Sequence, residues 1–289
     1  RMGDDGMELE EESKVQNYTD FEAIGAGKFA TVHRARHLPT GLLVALKRVQ
    51  IFENISTKSE RHEVVREAKL LQKLDHPNII KCYDSWIERG EFYVALELCT
   101  HGDLAGLIHS HQQAGTRIPP REVWSHTYHL SEALFHMMER KLMHRDIKPA
   151  NVFLDEEGTI KLGDLGLGRS FSSRTLEATS VVGTPYYMAP EVMNGSPYSY
   201  PADIWSLGCV VYELCNLVSP FYEKNSSLYR LFYKIKEGAY DPVDERYGTG
   251  MQHLVTLMVA LDPTKRPSLI QVKSLAFDQL QHASEAQFS

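Results

Sequence analysis

Between Phe21 and about Leu98 the spacing of apolar positions is that of strands, broken by one helical stretch. From Asp103 onward it is mostly helical, with short strand-like runs between Asn151 and Leu162. The small and polar residues Thr100-His101-Gly102 read as the connection between the two regions. A small β-rich lobe followed by a larger, mainly helical lobe is an α+β arrangement. In the helical stretch of the first lobe Val64, Ala68 and Leu71 recur at i, i+4 and i+7, which makes one apolar stripe. Glu67 falls on that same side. It either sits at the stripe's edge in solvent or faces inward and needs a cationic partner, because an unpaired buried charge is costly.

Chemistry-bearing residues sit at particular points of this pattern. The first strand region contains Ile24-Gly25-Ala26-Gly27-Lys28-Phe29-Ala30-Thr31-Val32. Glycines let a backbone approach phosphates and offer N–H groups to them. No helix pattern follows these glycines, which separates them from a dinucleotide-binding turn and favours a hairpin lying over a nucleotide. About twenty residues on, Val44-Ala45-Leu46-Lys47 ends an apolar run in a lysine. A partly buried ammonium there calls for a counter-charge, and Glu67 is the candidate.

The segment Met143-His144-Arg145-Asp146-Ile147-Lys148-Pro149-Ala150-Asn151 is the richest in chemistry. Asp146 can accept or orient a hydroxyl proton, Lys148 can neutralise charge on a phosphoryl group, and Asn151 offers an amide oxygen to Mg²⁺. Thirteen residues beyond Asn151, Asp164 of Asp164-Leu165-Gly166 supplies a carboxylate for the same purpose. Hard oxygen donors suit Mg²⁺ held jointly with phosphates.

Composition narrows the class. At 289 residues the chain is long enough for two compact lobes, and 43% hydrophobic with 24% charged residues is ordinary for a water-soluble fold. No run is long enough to span a membrane, and no signal-peptide pattern opens the chain. Cys82, Cys99, Cys209 and Cys215 have no zinc or redox spacing, which suits a reducing compartment. Three Asn-x-Ser/Thr matches, at Asn17, Asn54 and Asn225, therefore read as chance. Of the net charge of −7, −4 falls in the first fourteen residues, where six acids face Arg1 and Lys14. Residues 1–20 accordingly read as an acidic disordered tail. The acidic balance argues against nucleic-acid binding.

Taken in order, the glycine segment, VALK, the helix Glu67, HRDIKPAN, DLG and the Ala189-Pro190-Glu191 triplet resemble the eukaryotic protein kinases. The resemblance runs from about Phe21 to Phe277. VALKRVQIF, MHRDIKPANVF, KLGDLGLGRSFSS and SVVGTPYYMAPE are similar to the NIMA-related Ser/Thr kinases, closest to the short branch that is little more than a catalytic domain. The implied fold is bilobal, with an N-lobe over about 21–98, a C-lobe over about 102–280 and a short tail over 281–289. The implied activity is ATP- and Mg²⁺-dependent phosphorylation of protein substrates, with Mn²⁺ as a substitute. No membrane and no nucleic acid are expected as partners.

The resemblance also assigns roles to single residues. Lys47 and Glu67 would position the phosphates. Leu96 matches the gatekeeper, and the Glu97 and Cys99 backbones would meet adenine, flanked by Ile24, Val32, Ala45 and Phe153. Glu191 would pair with Arg266, and Asp203 would brace the catalytic loop. Ser180 matches the activating phosphosite, with Thr179 as second choice and Arg145 as the receiving cation, which implies an upstream kinase. Thr184 would position substrate. In some relatives a tyrosine directly after a fourth-strand lysine holds the enzyme inactive. Here Cys82 follows Lys81 and Tyr83 comes one place later, so by strand alternation Tyr83 should point away and the brake be absent or altered. Mitotic, microtubule or ciliary roles, and a cytoplasmic, nuclear or centrosomal address, follow only from the resemblance. The alternative is a catalytically silent scaffold or adaptor of the same fold.

Overall fold

The computed structural model describes residues 13–27, 30–50, 70–164, 185–224 and 226–285. The chain divides into two compact units. The first carries strands β1 (Tyr18–Ala26), β2 (Ala30–His37), β3 (Leu43–Gln50), β4 (Cys82–Glu88) and β5 (Glu91–Glu97). They form one antiparallel sheet in the order β1-β2-β3-β5-β4.

Register decides which residues share a face. Val32 lies opposite Lys47, and Lys47 opposite Val94, while Ala45 lies opposite Leu96. Val32, Ala45, Lys47 and Leu96 therefore share one face. Ala35, Val44, Leu46 and Ala95 occupy the other, where they are buried with Tyr18 and Trp86. Tyr18 stacks on Trp86 at 5.5 Å and Trp86 on Tyr93 at 5.3 Å, both nearly parallel.

This aromatic stack corrects the expected tail. Residues 13–20 belong to the body: Lys14–Asn17 form a 3-10 turn, and β1 begins at Tyr18. The Val15 N–H donates to Glu88 at 3.1 Å, Lys14 pairs with Asp84 at 3.0 Å, and Val15 packs on the core. A polar-looking stretch conceals two anchoring side chains, Val15 and Tyr18.

The second unit contains residues 73–81 and everything from Cys99 onward. Its helices are α1 (Leu104–Ala114), α2 (Pro120–Glu139), α3 (Pro190–Met193), α4 (Tyr200–Asn216), α5 (Leu228–Glu237), α6 (Gly248–Met258) and α7 (Leu269–Glu285). Helix α7 runs to Glu285, beyond the boundary expected at 280. Helix α4 is buried on nearly all sides between residues 202 and 212, as a central helix must be. At Gly208 an added Cβ would come within 2.7 Å of the Met258 Cβ, so α4 and α6 approach backbone to backbone there. Strands β6 (Val152–Leu154) and β7 (Ile160–Leu162) pair as a small hairpin.

Residues 73–81, expected in the first lobe, belong to this second unit. Ile80 N–H donates to the Leu162 carbonyl at 2.9 Å, Leu162 N–H to the Asn78 carbonyl at 2.8 Å, and Asn78 Nδ2 to the Ile160 carbonyl at 3.0 Å. The segment extends the β6–β7 hairpin as a third strand-like strap, and these backbone groups are satisfied only by that attachment. Among the described residues no helix is long and apolar enough to cross a membrane.

Candidate active site

The loop from His144 to Asn151 is built around Asp203 of α4. Its two carboxylate oxygens accept from the His144 N–H and the Arg145 N–H, both at 2.9 Å, and Tyr198 Oη donates to the same group at 2.6 Å. Asp203 is a buried acid, and these three donors offset its desolvation. Arg145 adopts a left-handed φ of 68°, a conformation costly for a residue with a side chain. The paired N–H bonds to Asp203 hold it there.

His144 is fully enclosed, and burial lowers its pKa. Its Nδ1 accepts from the Asp146 N–H at 3.3 Å while Nε2 faces the Gly163 carbonyl at 2.9 Å. One neutral tautomer, with the proton on Nε2, satisfies both contacts. The imidazole thus ties the loop to the start of the segment that carries Asp164. Gly163 lies hard against its neighbours: a Cβ there would meet Ile80 Cδ1 at 2.6 Å and Phe153 Cε2 at 2.9 Å. Asp164 itself has φ 53°.

Two polar side chains converge on Asp146. Lys148 Nζ donates to Asp146 Oδ2 at 2.8 Å, and Asn151 Nδ2 donates to the same oxygen at 2.9 Å and to the Asp146 carbonyl at 2.7 Å. Both Asn151 N–H groups are thereby engaged, which leaves its carbonyl oxygen as the atom that could meet a cation. Asn151 also accepts, through its backbone oxygen, from the Gly163 N–H at 2.9 Å. Lys148 and Asp146 remain partly exposed, so the pair can reach a bound molecule. Phe153 lies in β6, between the loop and β7. Among the described residues no cluster of three or more His, Cys, Asp or Glu side chains is arranged to hold a metal. Asn151 and Asp164 would form a complete cation site only with oxygens brought by a ligand.

In the first unit Ile24, Gly25, Ala26 and Gly27 lead from β1 toward β2, and Gly27 N–H closes the turn onto the Ala30 carbonyl at 2.7 Å. Neither glycine has a left-handed φ, and among the described residues a Cβ at either would meet nothing closer than 3.7 Å. The described residues therefore do not themselves demand glycine at 25 or 27. Ala30, Thr31 and Val32 open β2, and Leu96 and Glu97 end β5. After β5 the chain passes into the second unit at Cys99. All four cysteines are free thiols, and burial raises the Cys82 thiol to about 12.

Several expected site residues lie outside the described residues: Lys28, Phe29, Glu67, Thr179, Ser180 and Thr184. Tyr83 lies within them. Cys82 pairs with Leu96 but Asp84 with Ala95, so Tyr83 occupies a bulge, and it is 41% exposed while Cys82 is buried.

Beyond the loop, Glu191 and Arg266 meet in a bidentate pair, Nη1 to Oε1 at 2.7 Å and Nη2 to Oε2 at 2.8 Å. The roles of Tyr198, His144 and Gly163, and the hydrogen bond from Tyr187 Oη to Glu213 at 2.7 Å, are not announced by the sequence. Their partners lie between 5 and 26 residues away along the chain, and no local pattern marks them.

A β-sheet unit, a helical unit and an Asp-Lys-Asn cluster braced from a buried central helix are the marks of a protein kinase catalytic domain. The Protein kinase domain family matches residues 18–278. The chain is 37% identical over 267 residues to serine/threonine-protein kinase Nek2 of Mus musculus, covering 90% of this chain and 59% of that protein. It is 35% identical over 268 residues to probable serine/threonine-protein kinase nek2 of Dictyostelium discoideum, covering 91% and 63%. Nek2 of Homo sapiens is 36% identical over 267 residues. This chain belongs to the protein kinase domain family, and these relatives, to which it is similar, are serine/threonine-protein kinases of the Nek name. It spans about six-tenths of the length of these curated relatives.

Proposed function

We propose that this chain transfers the γ-phosphoryl group of ATP to serine or threonine hydroxyls of proteins. The observation that carries the reading is the convergence of Lys148 and Asn151 on Asp146, in a loop whose backbone is held by Asp203. Asp146 orients the attacking hydroxyl and takes up its proton, and Lys148 neutralises charge on the phosphoryl oxygens. Asn151 and Asp164 would hold Mg²⁺, or Mn²⁺ in its place, which would supply charge neutralisation for the transferring phosphoryl group.

On the nucleotide side, the lack of any steric demand for Gly25 and Gly27 among the described residues supports a ligand-facing reason for them. Side chains there would stand between the backbone and a phosphate. Lys47, paired with Glu67, positions the α- and β-phosphates. Ile24, Val32, Ala45 and Phe153 flank the adenine, Leu96 bounds the pocket, and the Glu97 and Cys99 backbones meet the base edge. Phosphorylation of Ser180 by an upstream kinase, with Arg145 as the receiving cation and Thr184 positioning substrate, completes the active form. A role in mitosis, at microtubules or at cilia is implied only by the resemblance of the sequence to the NIMA-related kinases.

The test is phosphate transfer from radiolabelled ATP to a serine/threonine peptide library with Mg²⁺, comparing wild type with Asp146→Asn. Labelling should fall by about 10²–10⁴-fold in the variant. Absence of labelling in wild type phosphorylated at Ser180 would leave a scaffold of kinase fold.

A further inference from the structure

Tyr198 stands in the short link between α3 and α4, five residues before Asp203. Asn194 to Pro197 of this link are exposed, whereas Tyr198 is half-buried. Its Oη donates to Asp203 Oδ1 at 2.6 Å, the length of a charge-assisted O–H···O⁻ bond. The same oxygen accepts the Arg145 N–H at 2.9 Å, and Oδ2 accepts the His144 N–H at 2.9 Å. Asp203 is only 4% exposed, so water is poorly placed to replace a lost donor.

The catalytic loop leans on that carboxylate. Arg145 has φ 68°, a left-handed conformation that a residue with a side chain keeps only where its surroundings over-determine it. The bond that holds it ends on the oxygen that Tyr198 fixes. The other contact at this point of the loop, from the Asp146 N–H to His144 Nδ1, is 3.3 Å long and correspondingly weak.

Asp146 is the next residue, so its direction follows from the backbone at Arg145. Lys148 and Asn151 are set in turn on the Asp146 carboxylate, at 2.8 and 2.9 Å. Two hydrogen bonds and one residue of chain therefore separate the Tyr198 hydroxyl from the group that meets the substrate.

We propose that Tyr198 is a positioning residue for phosphoryl transfer. Its hydroxyl locks Asp203 in the orientation that keeps Arg145 left-handed, and so aims Asp146 at the attacking hydroxyl. The transfer rests on the kinase reading; the lock on the loop does not. Displacement of a reacting group by about 1 Å can cost about 10²-fold in rate, which gives a remote hydroxyl its leverage.

Tyr198→Phe removes the hydroxyl and keeps the ring. Amide hydrogen exchange is compared first, without nucleotide, in variant and wild type. The peptide carrying His144 and Arg145 should exchange at least about tenfold faster in the variant, with α2 and α7 unchanged. Unchanged exchange in the loop would overturn the lock, and so would equal acceleration throughout, which marks general destabilisation. Phosphate transfer to a serine/threonine peptide is then measured, with thermal melts to correct for the folded fraction. The corrected kcat should fall about 10–100-fold while KM for ATP and for peptide stays within about twofold. An unchanged corrected kcat would overturn the positioning role. In an Asp146→Asn background the same change should cost less than about twofold, because the residue it aims is already disabled. A full further loss there would place the hydroxyl's action elsewhere and overturn the proposal. Variant-sensitive exchange with no transfer in wild type would sink the kinase reading and leave the lock on Arg145 standing.

Discussion

The Arg266 guanidinium grips both carboxylate oxygens of Glu191, 75 residues earlier in the chain, at 2.7 and 2.8 Å. Its side chain has no exposed surface, and Nε and Nη1 also donate to the Ala260 and Pro201 carbonyls at 2.9 and 2.8 Å. The guanidinium carbon also lies 5.1 Å from the Trp205 ring. One buried cation thus joins α3, the start of α4 and the loop after α6.

Arg266→Lys keeps the charge but cannot reproduce the fork or the two carbonyl bonds. Breaking a buried pair of this kind costs about 3–5 kcal/mol. Chemical denaturation should show a loss in that range, with kinase activity falling in proportion to the folded fraction. A loss below about 1 kcal/mol, the size of a surface pair, would contradict the account.

Gly27→Ala should separate ligand approach from folding. Among the described residues its Cβ would meet nothing closer than the Ala30 carbonyl at 3.7 Å, so the thermal midpoint should stay within a degree or so of wild type, about 0.5 kcal/mol at most. KM for ATP should rise. An unchanged KM would remove the case for phosphate contact at this turn.

Gly208→Ala should behave in the opposite way. The new methyl would press on the Met258 Cβ at 2.7 Å and the Val259 Cγ1 at 3.0 Å, atoms fixed close to the backbone of α6. Overpacking of this kind costs about 1–3 kcal/mol. The melting temperature should fall with KM for ATP unchanged. A stable Gly208→Ala protein would mean that α4 and α6 can slide apart freely.

Acid should destabilise the fold. Burial lowers the pKa values of His76, His129, His136 and His144 in the folded state. On acidification the unfolded chain therefore takes up protons first, from its ordinary value near 6.5 downward. The stability these neutral imidazoles confer is complete above that value and is lost as pH falls below it. His76 also cannot take a proton on Nδ1 without losing the bond it accepts from the Asn78 N–H at 3.1 Å. Melting temperatures should decline from pH 7 to pH 5, and His136→Phe should flatten the decline. A flat profile for wild type would show that these rings titrate normally.

Tyr187→Phe would remove the donor that meets Glu213, whose pKa is raised by burial and drawn back down by that same bond. Leaving the carboxylate without its hydroxyl should cost about 1–3 kcal/mol in denaturant unfolding. Glu213→Gln keeps an acceptor for Tyr187 and should cost clearly less. Equal losses would show that shape, and not the hydrogen bond, is what matters there.

The order of motifs and the change from strand to helix spacing were legible in the sequence because both are local, a period of two giving way to 3.6 within a few residues. Asp146, Lys148 and Asn151 fall within one six-residue span, so their convergence could be read from spacing alone. Glu191 with Arg266, and Asp203 beneath the loop, were named beforehand only through the family resemblance. Their contacts cross 75 and 59 residues of chain, and nothing nearby announces them.

Other features were settled only by the tertiary structure. The strap 73–81 looks like a loop of the first lobe until its backbone groups are seen bonded to β7. Residues 13–20 look like an acidic tail until Tyr18 stacks on Trp86. The need for glycine at 163 and 208, and the lack of that need at 25 and 27, depend on what stands opposite each Cα. Local sequence determines the periodicity of an element and the chemistry it carries. Which face is buried, which charge finds its partner and where a side chain would collide are decided by elements that meet only when the chain has folded.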